Sequence, residues 1–276
     1  MKPPVKPRFQ DKARYRENPQ PPAPSLPPGT RLIVGIQPVR EAIRAEERGR
    51  KPPIKVLVDD KSSPQLDALA RFAHDRGIPV ERISRSELDR HTRGAHHQGV
   101  AALAPELEIL GLADLTLGPS ALVLALDELQ DPQNFGAVLR SAVALGTDAV
   151  LWPEHSSAPL SPATFRASAG AVEHATLCRV QSLPSALTEL AERGLDVVGL
   201  DAQGDELLQD AHLDLPLVLV LGAEGKGLRK SVKQACRRLV RLPMRAGAVD
   251  SLNASVAVAI ALYEVARRHG IRNNDA

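Results

Sequence analysis

Leu215-Pro216-Leu217-Val218-Leu219-Val220-Leu221 runs straight into Gly222-Ala223-Glu224-Gly225-Lys226-Gly227. The first segment is the most strongly apolar run in the chain. Such a run fits a strand covered on both faces, as in the middle of a parallel sheet. The second segment holds three glycines in six residues, which permit positive φ and close backbone approach. Ligands of open α/β sheets bind beyond the carboxyl ends of strands, where this loop lies. A nucleoside-triphosphate loop needs Lys and then Ser or Thr after its second glycine, but Leu228 and Arg229 follow Gly227. A dinucleotide fingerprint starting at Gly225 needs Gly or Ala at position 230, which is Lys230. Glu224 has a plain role available, as a cap for a helix beginning near Leu228.

The pattern on either side alternates strand and helix. Upstream, Ala121 to Leu126 is a second continuous apolar strand. Asn134 to Leu145 is helical and stops at Gly146, and Asp148 to Trp152 is a strand. Pro162 to Gly170 and Leu183 to Glu192 are helices, followed by a strand at Leu195 to Leu200. Downstream, Leu239 to Leu242 is a short strand, and Leu252 to Arg268 a long helix with Ala, Val, Ile and Leu on its inner faces. This alternation predicts an α/β fold, a parallel sheet with helices on both sides.

Two further loops follow strands. In Asp131-Pro132-Gln133-Asn134-Phe135-Gly136, backbone N–H groups at a helix start could meet a phosphate, and Arg140 follows six residues after Asn134. Alone, Asn134 also fits a helix cap and Arg140 a solvated helix charge. In the segment from Pro243 and Met244 to Ser251-Leu252-Asn253-Ala254-Ser255, Ser251 and Asn253 can each cap the last helix. One cap suffices, which leaves polar groups for a ligand. Asp250 suits the positive end of the helix dipole.

Residues 32–106 read as a smaller α/β unit. Helices are expected at Pro38 to Glu47, Ser63 to Arg76 and Ser86 to Arg90, with strands at Ile54 to Val58, Pro79 to Ile83 and Gln98 to Leu103. Residues 107–120 read as a linker punctuated by Gly111, Gly118 and Pro119, and residues 121–270 as the larger domain. Residues 1–31 form a proline-rich arm with seven Lys or Arg against Asp11 and Glu17. That is +5 within a chain of net charge +2, so the remainder carries −3. The arm cannot bury a core and is expected to be disordered. Phosphate gripping and plain solubilisation fit it equally.

Composition narrows the class. The chain has 276 residues, 43% of them hydrophobic, enough for one large or two small cores. No stretch of about 18 apolar residues suggests a membrane span, and no apolar run after the first lysines suggests a secretory signal. Cytoplasmic localisation is expected. Cys178 and Cys236 form no CxxC pair and have no histidine at ligand spacing, so reduced thiols and no metal site are expected.

The three loops, each after a strand and in this order, resemble the signature motifs of the SpoU/TrmH methyltransferases of the SPOUT superfamily. They read Asp131-Pro132-x-Asn134-x-Gly136-x-x-x-Arg140, then Gly222-x-Glu224-Gly225-x-Gly227, then Pro243-Met244 with Ser251-Leu252-Asn253-x-Ser255-Val256. The resemblance runs from about 121 to 268 and takes in segment 152–174 with Ser168-Ala169-Gly170-Ala171. Gly35-Ile36-Gln37-Pro38-Val39 and His97-Gln98-Gly99-Val100 resemble the substrate-binding domain of ribosomal-RNA members, which is similar in fold to ribosomal protein L30e. Gln37 stands where histidine is expected.

The resemblance implies a deep trefoil knot in the C-terminal domain, an exception to unknotted chains. It implies a homodimer whose active site uses both subunits. S-adenosyl-L-methionine would lie in the knot, lined by Gly199, Leu200, Leu221, Gly222, Leu242, Met244 and Leu252. The reaction implied is methylation of a ribose 2′-oxygen of RNA, with Arg140 as proton acceptor and Asn134, Glu224, Ser251 and Asn253 orienting it and the nucleotide. Arginine has a pKa above about 12, so Arg140 is also expected to fix the ribose or its phosphate and to stabilise an alkoxide. The expected target is a guanosine of large-subunit (23S) ribosomal RNA. Transfer RNA, an adenosine targeted for resistance, and a non-catalytic ribosome-assembly role are the alternatives, the last disfavoured by the intact polar set. Aromatic residues are 3%, so recognition by shape and phosphate is expected over base stacking. His96 and His97 either touch RNA or merely precede a strand.

Overall fold

The computed structural model describes residues 25–61, 63–155, 157, 160–223, 225–245 and 251–270. The small unit is built from β1 (Thr30–Val34), α1 (Ile36–Arg44), β2 (Lys55–Asp59), α2 (Pro64–His74), β3 (Val80–Ile83), α3 (Arg85–His91) and β4 (Val100–Pro105). Its sheet has the order β1-β4-β2-β3. β4 is antiparallel to both β1 and β2, and β3 lies parallel to β2. Helix starts follow local chemistry. Ser63 accepts a hydrogen bond from the Leu66 amide ahead of Pro64, and Ser84 and Glu87 form a reciprocal capping box.

The large unit holds β5 (Ile109–Leu110), β6 (Leu122–Leu126), α4 (Pro132–Ala144), β7 (Ala149–Pro153), α5 (Pro162–Ala167), β8 (Leu177–Val180), α6 (Leu183–Glu192) and β9 (Asp196–Leu200). β10 (Glu206–Leu207), β11 (Leu217–Leu221), α7 (Lys230–Ala235), β12 (Arg238–Arg241) and α8 (Ala254–His269) complete it. The eight strands run β10-β12-β9-β11-β6-β7-β8-β5, and every neighbouring pair is parallel. β11 lies between β9 and β6 and is buried throughout, as its unbroken apolar run demands. One face of the sheet packs on Val138 and Leu139 of α4 and Val258 and Leu262 of α8. The other packs on Leu187 and Leu190 of α6 and Val232 of α7. Phe135 meets Trp152 edge to face, with ring centroids 5.5 Å apart.

The expected boundaries shift at two places. Thr30 and Arg31 pair with Pro105 and Ala104 in the small sheet, so the arm stops short of residue 31. The arm's residues 1–24 lie outside the described ones. The expected linker contributes β5, which pairs with Leu177 and Cys178 at the edge of the large sheet. Among the described residues no helix is long and apolar enough to cross a membrane.

Candidate active site

β9, β11 and β12 lie side by side and parallel, so their carboxyl ends open at one place. A cavity of about 990 Å³ lies there, large enough for a nucleoside-sized ligand. Leu200 and Leu221 close its floor as the last residues of β9 and β11. Leu242, Met244, Ser251 and Leu252 form another wall, from the segment joining β12 to α8. Six of the seven residues expected to hold a cofactor therefore line this cavity. Gly199, the seventh, lies within β9, where a β-carbon would come 2.7 Å from Leu239 Cδ2 and 2.8 Å from Leu228 Cδ1. Its role is to let the neighbouring elements close beneath the pocket.

The glycine loop forms the rim. A β-carbon at Gly222 would overlap the Gly227 carbonyl and the Leu228 nitrogen, so only glycine lets the loop fold back on itself there. Gly227 donates its amide to the Ala223 carbonyl at 2.9 Å. The loop's far end is pinned by Arg229. Its amide and Nε donate to the buried Asp127 carboxylate at 2.9 and 2.7 Å, and Nη1 lies 3.0 Å from Glu128 Oε1. The hydrogen bond to Asp127 raises the Arg229 pKa above its usual value, outweighing burial. Glu224 lies outside the described residues, as do 246–250 with Asp250.

The polar residues expected to act separate into a joined pair and two single groups. Asn134 is not the cap of α4. Asp131 is, accepting from the amides of Gln133 and Asn134 at 3.2 and 3.1 Å. The Asn134 side chain is thereby released, and its Oδ1 accepts from Asn253 Nδ2 at 3.0 Å. Asn253 also caps α8, its Oδ1 accepting from the Ser255 amide at 2.9 Å. This bond joins the starts of the first and last helices of the large unit across 119 positions of sequence. Ser251, spared from capping, is exposed on the cavity wall. Arg140 is exposed on α4 and does not line the cavity. Six helical positions carry it about 9 Å along the axis from Asn134 and roughly 120° around it.

Asp201 escaped notice in the sequence. It follows β9 directly, and the rule that placed the other loops at carboxyl ends pointed to it equally. It is buried, lines the cavity, accepts from the Gln203 amide at 3.0 Å and lies 2.8 Å from Lys233 Nζ. It ties the end of β9 to α7. His97 is buried, with Nε2 2.9 Å from Asp89 Oδ1 and Nδ1 accepting from the Gly99 amide, so it shapes the turn before β4. Burial pushes the Cys236 thiol up to about 12 and the Cys178 thiol to about 11, which leaves neither as a thiolate nucleophile.

Comparison with known proteins matches this architecture unit by unit. Residues 121–263 match the SpoU rRNA Methylase family, and residues 32–110 match the RNA 2′-O ribose methyltransferase substrate-binding family. A Mycobacterium ulcerans (strain Agy99) protein, described as an uncharacterized tRNA/rRNA methyltransferase, is 39% identical over 243 residues, covering 87% of this chain and 77% of that protein. The SpoU methyltransferase AviRb from Streptomyces viridochromogenes, solved with AdoMet, superposes with a TM-score of 0.73 at 25% identity, covering 87% of this chain and 91% of that one. An AdoMet-bound rRNA methyltransferase from Sinorhizobium meliloti gives 0.72 at 25% identity, covering 87% and 88%. The fold and its site define an RNA methyltransferase. The chain belongs to the SpoU rRNA methylase family.

Proposed function

We propose that this protein transfers a methyl group from S-adenosyl-L-methionine to a ribose 2′-oxygen of RNA, with a guanosine of 23S ribosomal RNA as the target. The observation that carries the reading is the cavity at the ends of β9, β11 and β12, with the Asn134–Asn253 pair beside it. The cavity fits the cofactor chemically. Leu200, Leu221, Leu242 and Leu252 offer apolar faces to an adenine, and Gly222 lets backbone amides approach it. The bound cofactor supplies a sulfonium methyl, so the protein's part is position and a path for one proton. Threading of the chain into a trefoil knot around this mouth belongs to the same reading.

Asn134 and Asn253 hold the starts of α4 and α8 at a fixed separation, and Ser251 presents its hydroxyl from the wall. Arg140 is exposed and does not line its own cavity, which favours its serving the cavity of a second subunit. There it fixes the ribose and its phosphate and stabilises the oxyanion as the proton leaves. Val256, Ile260 and Tyr263 support such a dimer. They are 47%, 42% and 60% exposed and share one face of α8 at helical spacing. A likeness over both units to an rRNA methyltransferase structure favours a ribosomal substrate over a transfer RNA.

The test is transfer of labelled methyl from S-adenosylmethionine to total RNA, sorted by size and mapped by nuclease digestion. Label in a 2′-O-methylguanosine of large-subunit RNA is the expected result. Label in transfer RNA would replace the substrate, and no label in any RNA would turn the reading toward a ribosome-assembly factor. Arg140→Ala should keep cofactor affinity and lose methyl transfer by on the order of a hundredfold. Near-normal turnover in that variant would remove Arg140 from the mechanism.

A further inference from the structure

Residues 162–175 stand between the two units. On one side α5 lies against α4 with no clearance. A β-carbon at Gly136 would sit 2.5 Å from both Ala167 Cβ and the Thr164 carbonyl oxygen. On the other side, the 3-10 turn Ala171–His174 meets α1 of the small unit. A β-carbon at Gly170 would sit 2.8 Å from Glu41 Cβ and 3.0 Å from Pro38 Cα. Close-packed contacts transmit a displacement rather than absorb it.

Polar fastenings reinforce the second side. Arg31 of β1 grips Glu173 with both arms of its guanidinium, Nη1 to Oε1 at 2.8 Å and Nη2 to Oε2 at 2.5 Å. The two side chains are 14% and 7% exposed. Arg31 Nε donates to the Pro105 carbonyl at 3.0 Å, and the guanidinium lies 5.4 Å over the Phe165 ring. His174 Nε2 lies 2.9 Å from Glu41 Oε2, and Arg50 Nη2 donates to the Ala175 carbonyl at 2.9 Å. Beside this seam a cleft of about 1380 Å³ separates the units, reaching Arg44, Lys51 and Val143. Arg31, Glu41, Glu173 and His174 of the seam line that cleft as well.

We propose that Arg31 and Glu173 are positioning residues for methyl transfer: their bidentate pair locks the substrate-binding unit onto segment 162–175, and so sets where RNA is held relative to Asn134 and Arg140 on α4. A forked pair fixes orientation as well as distance. The inference rests on the methyltransferase reading above.

The test uses the full chain with Glu173→Gln, which keeps shape and loses charge, and with the reciprocal swap Arg31→Glu/Glu173→Arg. Hydrogen exchange is followed at residues 30–34 and 171–175, with β11 as internal reference, alongside cofactor affinity and kcat and KM on the target RNA. Glu173→Gln should exchange faster at the seam and unchanged at β11. It should bind cofactor normally and lose on the order of tenfold in kcat with little change in KM. The swap should recover both seam protection and kcat. Intact seam protection in Glu173→Gln, or a loosened seam with wild-type kcat, overturns the proposal. Should β11 loosen as well, Arg31→Lys, which keeps the charge and loses the fork, decides by the same two criteria. If the wild type methylates no RNA, the functional reading fails, and the lock between the units stands or falls on exchange alone.

Discussion

Asp201 shows opposing forces at one residue. Burial acts to raise its pKa, while Lys233 and the amides of Gln203 and Leu228 act to lower it, and the donors prevail. A carboxylate depressed in this way adds stability that is complete above its unfolded pKa of about 3.9 and disappears as pH falls through the lower folded value. Asp201→Asn should therefore lower stability at pH 7 by on the order of 1–3 kcal/mol, the scale of hydrogen bonds to a charged group. The gap from wild type should narrow as the pH falls from the unfolded value through the lower folded one. Thermal melts across pH measure this, and an equal gap at both ends would mean that shape, not charge, is at stake. The identities of Asn134 and Asn253 were legible as motif residues. Their mutual bond was not, because it depends on Asp131 taking over the cap of α4. Nor was the contact between Arg31 and Glu173, 142 positions apart.

Among the elements, the loop from Gly222 to Gly227 is tightest at its first glycine. Gly222→Ala forces a methyl group into the Gly227 carbonyl, and opening the loop to admit it should cost about 1–3 kcal/mol. Cofactor affinity should fall by more than about tenfold, measured by titration calorimetry. Wild-type affinity would show that the tight fold-back is not needed for binding. β11 and α8 were easy to foresee, since a strand buried on both faces and a helix half sunk in the core each leave a periodic apolar signature. β8 and β5 left none. β8 is four residues with an exposed Arg179 in its middle, and β5 is two residues whose pairing with β8 gives them their form. The glycines at 136 and 170 are plain letters in the sequence, and only the packed neighbours show what they permit.

At the scale of the molecule, the exposed stripe on α8 makes oligomeric state a direct test. If the proposed dimer forms through that stripe, Ile260→Glu places a charge in its middle and should yield monomers by light scattering, with methyl transfer lost as Arg140 loses the second cavity the proposal has it serve. A monomer retaining full activity would put Arg140 and its own cavity in one subunit. The order of the parts along the chain has a consequence of its own. The small sheet is complete by Pro105, whereas the cavity walls come from Leu200 through Ala257. A polypeptide leaving the ribosome N-terminus first can thus complete its substrate-binding unit while the proposed cofactor pocket is still being translated. On the proposed reading, a chain ending between Pro105 and the last helix would carry the substrate-binding unit without a finished cavity, so gripping and chemistry come of age at different moments in the life of each molecule.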